Sequence, residues 1–206
     1  MDLEKFMKFK LTSETKKYGD LTLYRIEALI DFGNVKKGEK GGFIEKESNL
    51  SQDGNVWVYD NARVYGNAWV SDNARVYGNA WVSDNARVSD NARVSGNARV
   101  SDNAWVSGNA WVSGNAWVSD NAWVSGNARV YDNVRVYGDA WVSGNARVYD
   151  NVRVSGNAWV SGNARVYGEL KLQFGWCFAR KRKDWNVTEV KNGEEILLVK
   201  DYKTAE

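Results

Sequence analysis

No histidine occurs among the 206 residues, so acid–base chemistry near neutral pH lacks its commonest group and would fall to Asp, Glu, Lys or Tyr. A single cysteine, Cys177, can make neither an internal disulfide nor a cysteine-rich zinc site, which fits a reducing compartment. What stands out instead is a supply of 11 Trp, nine of which recur, together with Arg and Tyr, at multiples of six residues through the middle of the chain. Indoles in a row offer an apolar surface or a stack. Guanidinium groups in a row offer an anion site. Either use depends on elements that hold the rows straight.

Those elements are written as a repeat. From Asn55 to Gly168 the chain is nineteen consecutive hexads, Asn–Ala–(Trp or Arg)–Val–(Ser or Tyr)–(Asp or Gly), with no inserted residue. The fourth position is Val throughout, from Val58 to Val166, and the second is Ala except at Val56, Val134 and Val152. Six is even, so along an extended strand every Val points one way and its Trp/Arg and Ser/Tyr neighbours point the other. Pairs such as Gly66-Asn67 and Asp72-Asn73 demand a corner once per hexad, since Gly and Asn tolerate positive φ and Asp and Asn bond their own backbone. A strand this short cannot bury its Val alone. Coiling the chain stacks each hexad on a later one about 4.8 Å away and buries Val and Ala in a narrow column, which predicts a β-solenoid.

Composition agrees with a single folded domain: 43% of residues are apolar and 26% charged. Charge is balanced along the chain, with 10 basic and 10 acidic residues in 1–54, 10 and 9 in 55–168, and 8 and 7 in 169–206. Bulk positive charge therefore gives no support to general nucleic-acid binding. No segment approaches the roughly 20 apolar residues of a membrane span, and Met1 to Asp20 mixes Lys and Glu with apolar residues where a signal peptide needs a continuous apolar run. A soluble, cytoplasmic protein with no membrane partner is expected.

The unit Val–Ser–Gly–Asn–Ala–Trp resembles the hexapeptide repeat of left-handed parallel β-helices. Asp31-Phe32-Gly33-Asn34-Val35-Lys36-Lys37-Gly38, Gly41-Gly42-Phe43-Ile44 and Asn49 to Gly54, followed by Trp57 to Asn61, are similar to the lead-in of YdcK-like proteins. These are bacterial hexapeptide-repeat proteins labelled transferases, with relatives in bacteriophages and prophages. The resemblance covers about residues 28–168 and implies an all-β, left-handed parallel β-helix. It also implies three hexads per coil, so that positions i and i+18 stack, and about six coils in all. Periodicity by itself gives the six and leaves the three open.

With three hexads per coil, one face carries Trp69, Arg87, Trp105, Trp123, Trp141 and Trp159, with Ser at every flanking position, and reads as an exposed apolar patch. A second carries Trp57, Arg75, Arg93, Trp111, Arg129, Arg147 and Arg165, the last three flanked by Tyr131, Tyr149 and Tyr167. The third carries Arg63, Trp81, Arg99, Trp117, Arg135 and Arg153. The Trp row can stabilise the sheet by cross-strand stacking, pack against other copies, with a trimer favoured, or capture a glycan. The Arg/Tyr row suits a nucleotide or another anion. Asp84, Asp102 and Asp120 stack at one corner, but the calcium-binding β-roll signature is absent, and neither a metal nor a cofactor is expected.

Three parts follow: residues 1–54 as an N-terminal β cap with a first degenerate coil, 55–168 as the β-helix, and 169–206 as a C-terminal β-hairpin cap. Extended segments are expected at Phe6 to Leu11 and Leu21 to Phe32, separated by a polar stretch at Lys16 to Asp20, with Ile44 and Leu50 in the Ala register. After the repeat, strands are expected at Trp176 to Trp185, Val187 to Val190 and Glu195 to Tyr202, turning at Lys191 to Glu194. Caps keep open solenoid ends from templating filament growth. Arg180-Lys181-Arg182-Lys183 reads as a solvated edge and not as a nucleic-acid site.

Known catalytic hexapeptide proteins resemble this scaffold but use His and inserted loops, both missing here, and an uninterrupted prism offers little concavity. The expectation is a non-catalytic, rigid β-solenoid of the phage or prophage type that presents its rows to a protein partner or to itself. Nucleotide or nucleic-acid capture through Arg129, Arg147 and Arg165 is the alternative, and a His-less acyltransferase a further one.

Overall fold

In the computed structural model, residues 7–169 and 171–173 are described in full, and the strands Trp176–Arg182, Trp185–Asn192 and Glu195–Val199 as backbone. Each hexad contributes one short strand at its third and fourth positions, from Trp57–Val58 to Arg165–Val166. These strands form three parallel sheets in which partners lie three hexads apart in sequence, as in Trp105↔Trp123, Arg99↔Trp117 and Arg129↔Arg147. The coil is therefore three hexads long, and the seven strands of one sheet set the solenoid at about seven turns. Every Val and Ala of the repeat core is buried, from Val56 and Val58 to Ala164 and Val166. Three amides per hexad donate upward: Trp105 N to Ala122 O, Ser107 N to Val124 O and Asn109 N to Gly126 O, at 2.7–3.0 Å. The column leaves no backbone donor of these positions to water.

The corners work differently from the expectation. Positive φ falls only on the sixth position, at Gly or at Asp, and never on Asn. Asp60, Asp72, Asp84, Asp90, Asp102, Asp120, Asp132 and Asp150 adopt φ of 54–64°. Each offsets that conformation by accepting, at 2.9–3.4 Å, the backbone N–H of the sixth-position residue one coil above. Where Gly takes the place, the next coil presses close: a Cβ on Gly114 would lie 2.7 Å from Asp132 N. Asn, at the first position, builds amide ladders up the three corners instead, for example Asn109 Nδ2 to Asn127 Oδ1 at 3.0 Å, Asn127 to Asn145 at 2.9 Å and Asn145 to Asn163 at 3.0 Å. Asp139, which can only accept from Asn121, interrupts its ladder.

The first coil is longer than the rest. Ile44 pairs with Val64 and Leu50 with Val70, a separation of three hexads plus two residues, so both occupy the Val register and not the Ala register. The two extra residues sit in the corner between Leu50 and Val56, where Gln52 Oε1 accepts Lys8 N–H at 2.8 Å. The corner is widened where the N-terminal segment meets it. Strand β1 (Phe9–Tyr18) pairs antiparallel with β2 (Leu21–Ala28), and β2 with β3 (Lys40–Ile44), which extends the Arg63/Trp81 sheet. The stretch from Lys16 to Tyr18, expected as a break, is strand, and the turn falls at Gly19-Asp20. It is polar because β1 is the outer edge of its sheet, where charge discourages further pairing. Phe9, Ile26 and Val35 close the foot of the core.

At the other end Leu172 continues the Val column below it, from Val154, and Trp176–Arg182 pairs parallel with Trp159–Gly162 one residue short of a full coil. Two antiparallel strands, Trp185–Asn192 and Glu195–Val199, then follow on that sheet. The expected strand through Trp185 is divided: Arg182 faces Trp185 across residues 183 and 184, which lie outside the described set, as do 193 and 194 of the expected turn. Among the described residues there is no helix long and apolar enough to cross a membrane.

Candidate functional site

Six indoles of the repeat lean back over the fifth-position serine of the coil beneath. Trp105 Nε1 donates to Ser89 Oγ at 3.1 Å, and Trp111, Trp117, Trp123, Trp141 and Trp159 bond Ser95, Ser101, Ser107, Ser125 and Ser143 in the same way at 3.1–3.3 Å. A small hydroxyl at the fifth position both makes room for the indole and satisfies its N–H. The bond needs a serine sixteen residues before the indole, a place that Ser89, Ser95, Ser101, Ser107, Ser125 and Ser143 fill and that Tyr65 fills before Trp81.

On the first face, Trp105, Trp123, Trp141 and Trp159 stack with centroids 4.9–5.0 Å apart and planes within 4° of parallel. Trp69 stays apart, 51% exposed, with Arg87 between it and the ladder. The expected open apolar patch is thus largely turned on itself. Trp123 and Trp141 have both ring faces covered by their neighbours, and Trp123, Trp141 and Trp159 are only partly exposed.

On the second face, Arg129, Arg147 and Arg165 occupy successive coils in register, and among the described residues none of the three makes a hydrogen bond or an ion pair. Beside them Tyr131, Tyr149 and Tyr167 stack at 5.1 Å. Burial in this stack, reinforced by the neighbouring Tyr149, raises the Tyr131 hydroxyl above its ordinary pKa. The nearest acids in sequence, Asp132 and Asp150, have a carboxylate oxygen engaged by the coil above. Trp57, expected on this outer face, is fully buried: Phe9 and Phe32 meet it edge-on at 6.2 and 5.4 Å.

The third face alternates cation and ring. Arg25 and Lys16 lie over Phe43 at 4.4 and 4.2 Å, Arg63 lies 5.2 Å from both Tyr18 and Trp81, Arg99 covers Trp81 at 4.6 Å, and Arg135 stands 5.8 Å from Trp117. Alternation keeps guanidinium groups off one another and gives each a ring to face. Tyr18 and Phe43 reach this column from outside the repeat, so hexad spacing gave no signal for them.

Sequence reasoning also missed Lys8. Its ammonium is buried and donates to the carbonyls of Asp53, Gly54 and Val56 at 3.0–3.4 Å, and burial pushes its pKa down to about 8. Asn49, which matches a glycosylation pattern, is buried with its amide on Gly66 O and Ala68 O. Asp84, Asp102 and Asp120 do stack at one corner, yet among the described residues no group of three His, Cys, Asp or Glu is placed to hold a metal.

The repeat matches a known family, the YdcK β-solenoid repeat, at residues 58–72, 68–84, 80–96, 86–100, 92–108, 98–114, 128–144 and 146–162. The protein named "Uncharacterized acetyltransferase YdcK" from Escherichia coli (strain K12) is 32% identical over 65 residues, which cover 28% of this chain. The match spans 20% of that relative's length.

Proposed function

We propose that this chain, a YdcK-like β-solenoid repeat protein, acts without catalysis, as a rigid prism that presents its side-chain columns to a protein partner or to further copies of itself. The observation that carries this reading is the fixed outer surface. Indoles and phenols are locked coil upon coil at 4.9–5.1 Å, and no loop interrupts Asn55 to Gly168 to form a cleft around a reacting group. A surface of this kind has little conformational entropy to lose on docking. Stacking also argues against glycan capture on the Trp face, since a sugar needs open ring faces and the inner indoles have none.

Mass in solution is the first test, by sedimentation equilibrium. A defined oligomer that reverts to monomer when Trp69 and Trp105 are replaced by Ser supports self-presentation. An acetyl transferase reading enters only through the name of the partial relative. Acetyl transfer from acetyl-CoA to an amine or hydroxyl acceptor, abolished by one carboxylate substitution, would overturn the non-catalytic reading.

A second reading has its own observation. Arg129, Arg147 and Arg165 carry three positive charges on consecutive coils without an acidic partner among the described residues, and such a row favours capture of an anionic nucleotide or nucleic acid. Binding of an oligonucleotide that weakens steeply with salt and is lost in Arg147→Ala supports it. Retention of full binding in that variant counts against it.

A further inference from the structure

The alternation on the third face fails at one place. Above Trp117 comes Arg135, and above Arg135 comes Arg153 where the next ring is due, followed in register by Lys171. At this break the surface opens into a groove of about 190 Å³ lined by Trp117, Ser119, Asp120, Arg135, Tyr137 and Arg153. The guanidinium of Arg135 stands 5.8 Å from the indole centroid, against 4.6 Å for Arg99 over Trp81 lower in the same column. Arg153 makes no hydrogen bond or ion pair among the described residues. Trp117 and Tyr137 are 39% and 36% exposed.

The polar floor departs from its pattern at the same point. In the two coils beneath, Ser83 Oγ donates to Asp84 at 2.8 Å and Ser101 Oγ to Asp102 at 3.0 Å. Ser119 and Asp120 make no such bond. Asp120 uses Oδ2 to accept Gly138 N–H at 2.9 Å, and its other oxygen meets no donor among the described residues. One groove thus brings together two cations short of an anion, two aromatic side chains, and an acceptor and a hydroxyl short of partners.

We infer that this groove binds a small phosphate ester carrying a flat, amino-bearing ring, of which a nucleoside monophosphate is the simplest form. The phosphate lies between Arg135 and Arg153, the ring rests against Trp117 and Tyr137, and Asp120 Oδ1 accepts the ring's N–H. The site is on a different face from the Arg129 to Arg165 row, so it stands or falls apart from the readings above.

The test is calorimetric titration of the full chain with AMP, with adenosine and with inorganic phosphate. Saturable AMP binding, at least tenfold tighter than either fragment, is expected. It should weaken at least tenfold in Arg153→Ala and in Trp117→Leu and remain within twofold in Arg87→Ala, on the Trp face, with far-ultraviolet dichroism reporting that each variant keeps its fold. If Trp117→Leu unfolds, Arg153→Ala and Tyr137→Leu decide alone. Absence of saturable AMP binding overturns the inference. So does AMP binding indifferent to Arg153→Ala, or phosphate binding as tight as that of AMP.

Discussion

The Trp face and the Arg/Tyr face are built from the same hexad on the same coils, yet one is satisfied from within and the other is not. Trp105, Trp123, Trp141 and Trp159 give each N–H to a serine one coil below and lay their rings on one another. Arg129, Arg147 and Arg165, at the same position of the repeat on the next face, make no hydrogen bond or ion pair among the described residues. A stacked array multiplies whatever it repeats. Identical neutral planar groups attract at strand spacing, whereas identical charges repel. The contrast teaches that the Trp ladder contributes mainly to stability and that a column of like cations is the better place to look for a ligand. The third face shows the intermediate solution, in which rings separate the charges until Arg153.

Four substitutions test that contrast, the largest effect first. Trp123→Ala removes two ring stacks and the bond to Ser107, and should cost about 2–4 kcal/mol in urea unfolding. A cost below roughly 0.5 kcal/mol, the scatter of ordinary surface substitutions, would mean that the ladder stabilises nothing. Lys8 separates the contribution of the N-terminal segment from that of the faces. Its ammonium is pushed down to about 8 when folded, from 10.5, so the unfolded chain binds the proton more tightly and takes it up on unfolding. Stability should therefore rise from about pH 8 to about pH 10.5, by roughly 1–3 kcal/mol, and the rise should shrink in Lys8→Met. Thermal melts of both proteins across that range check it, and equal slopes would contradict it.

Smaller effects come from the corners and the cations. Asn145→Ala breaks two rungs of an amide ladder, to Asn127 and to Asn163, and should cost about 1 kcal/mol. Arg147→Ala should change stability by less than about 0.5 kcal/mol, or raise it slightly at low salt as repulsion within its column is relieved. A loss as large as that of Trp123→Ala would show that the two faces do not differ in the way described.

Much of this architecture is legible in the sequence because the hexad is even and uninterrupted. Val58 to Val166 sets the buried column, and the three outward faces follow once the coil length is known. The corners are less legible. Asn and Asp both tolerate turn conformations, so their types do not reveal that Asp alone takes positive φ and caps the next coil while Asn forms a ladder. Ile44 and Leu50 fall in the Val register and not the Ala register because two extra residues before Val56 shift the alternation, and no repeat rule signals them. Trp57 points outward from its strand as its hexad position requires, but Phe9 and Phe32 cover it from a segment that the repeat does not connect to it. The groove at Trp117 is hidden for a related reason: it arises from what one column lacks, and a missing ring in an alternation is visible only when the coils are stacked.

Every column of the solenoid requires that residues three hexads apart be vertical neighbours. Pyrene labels on Ser119→Cys and Tyr137→Cys, in a Cys177→Ser background, report this directly, since those positions lie in one column on adjacent coils. Strong excimer emission from that pair, and none from a control pair on Ser119→Cys and Tyr131→Cys, is the predicted result. Excimer emission from the control pair, or none from the Ser119/Tyr137 pair in a folded protein, would contradict the register on which every column depends.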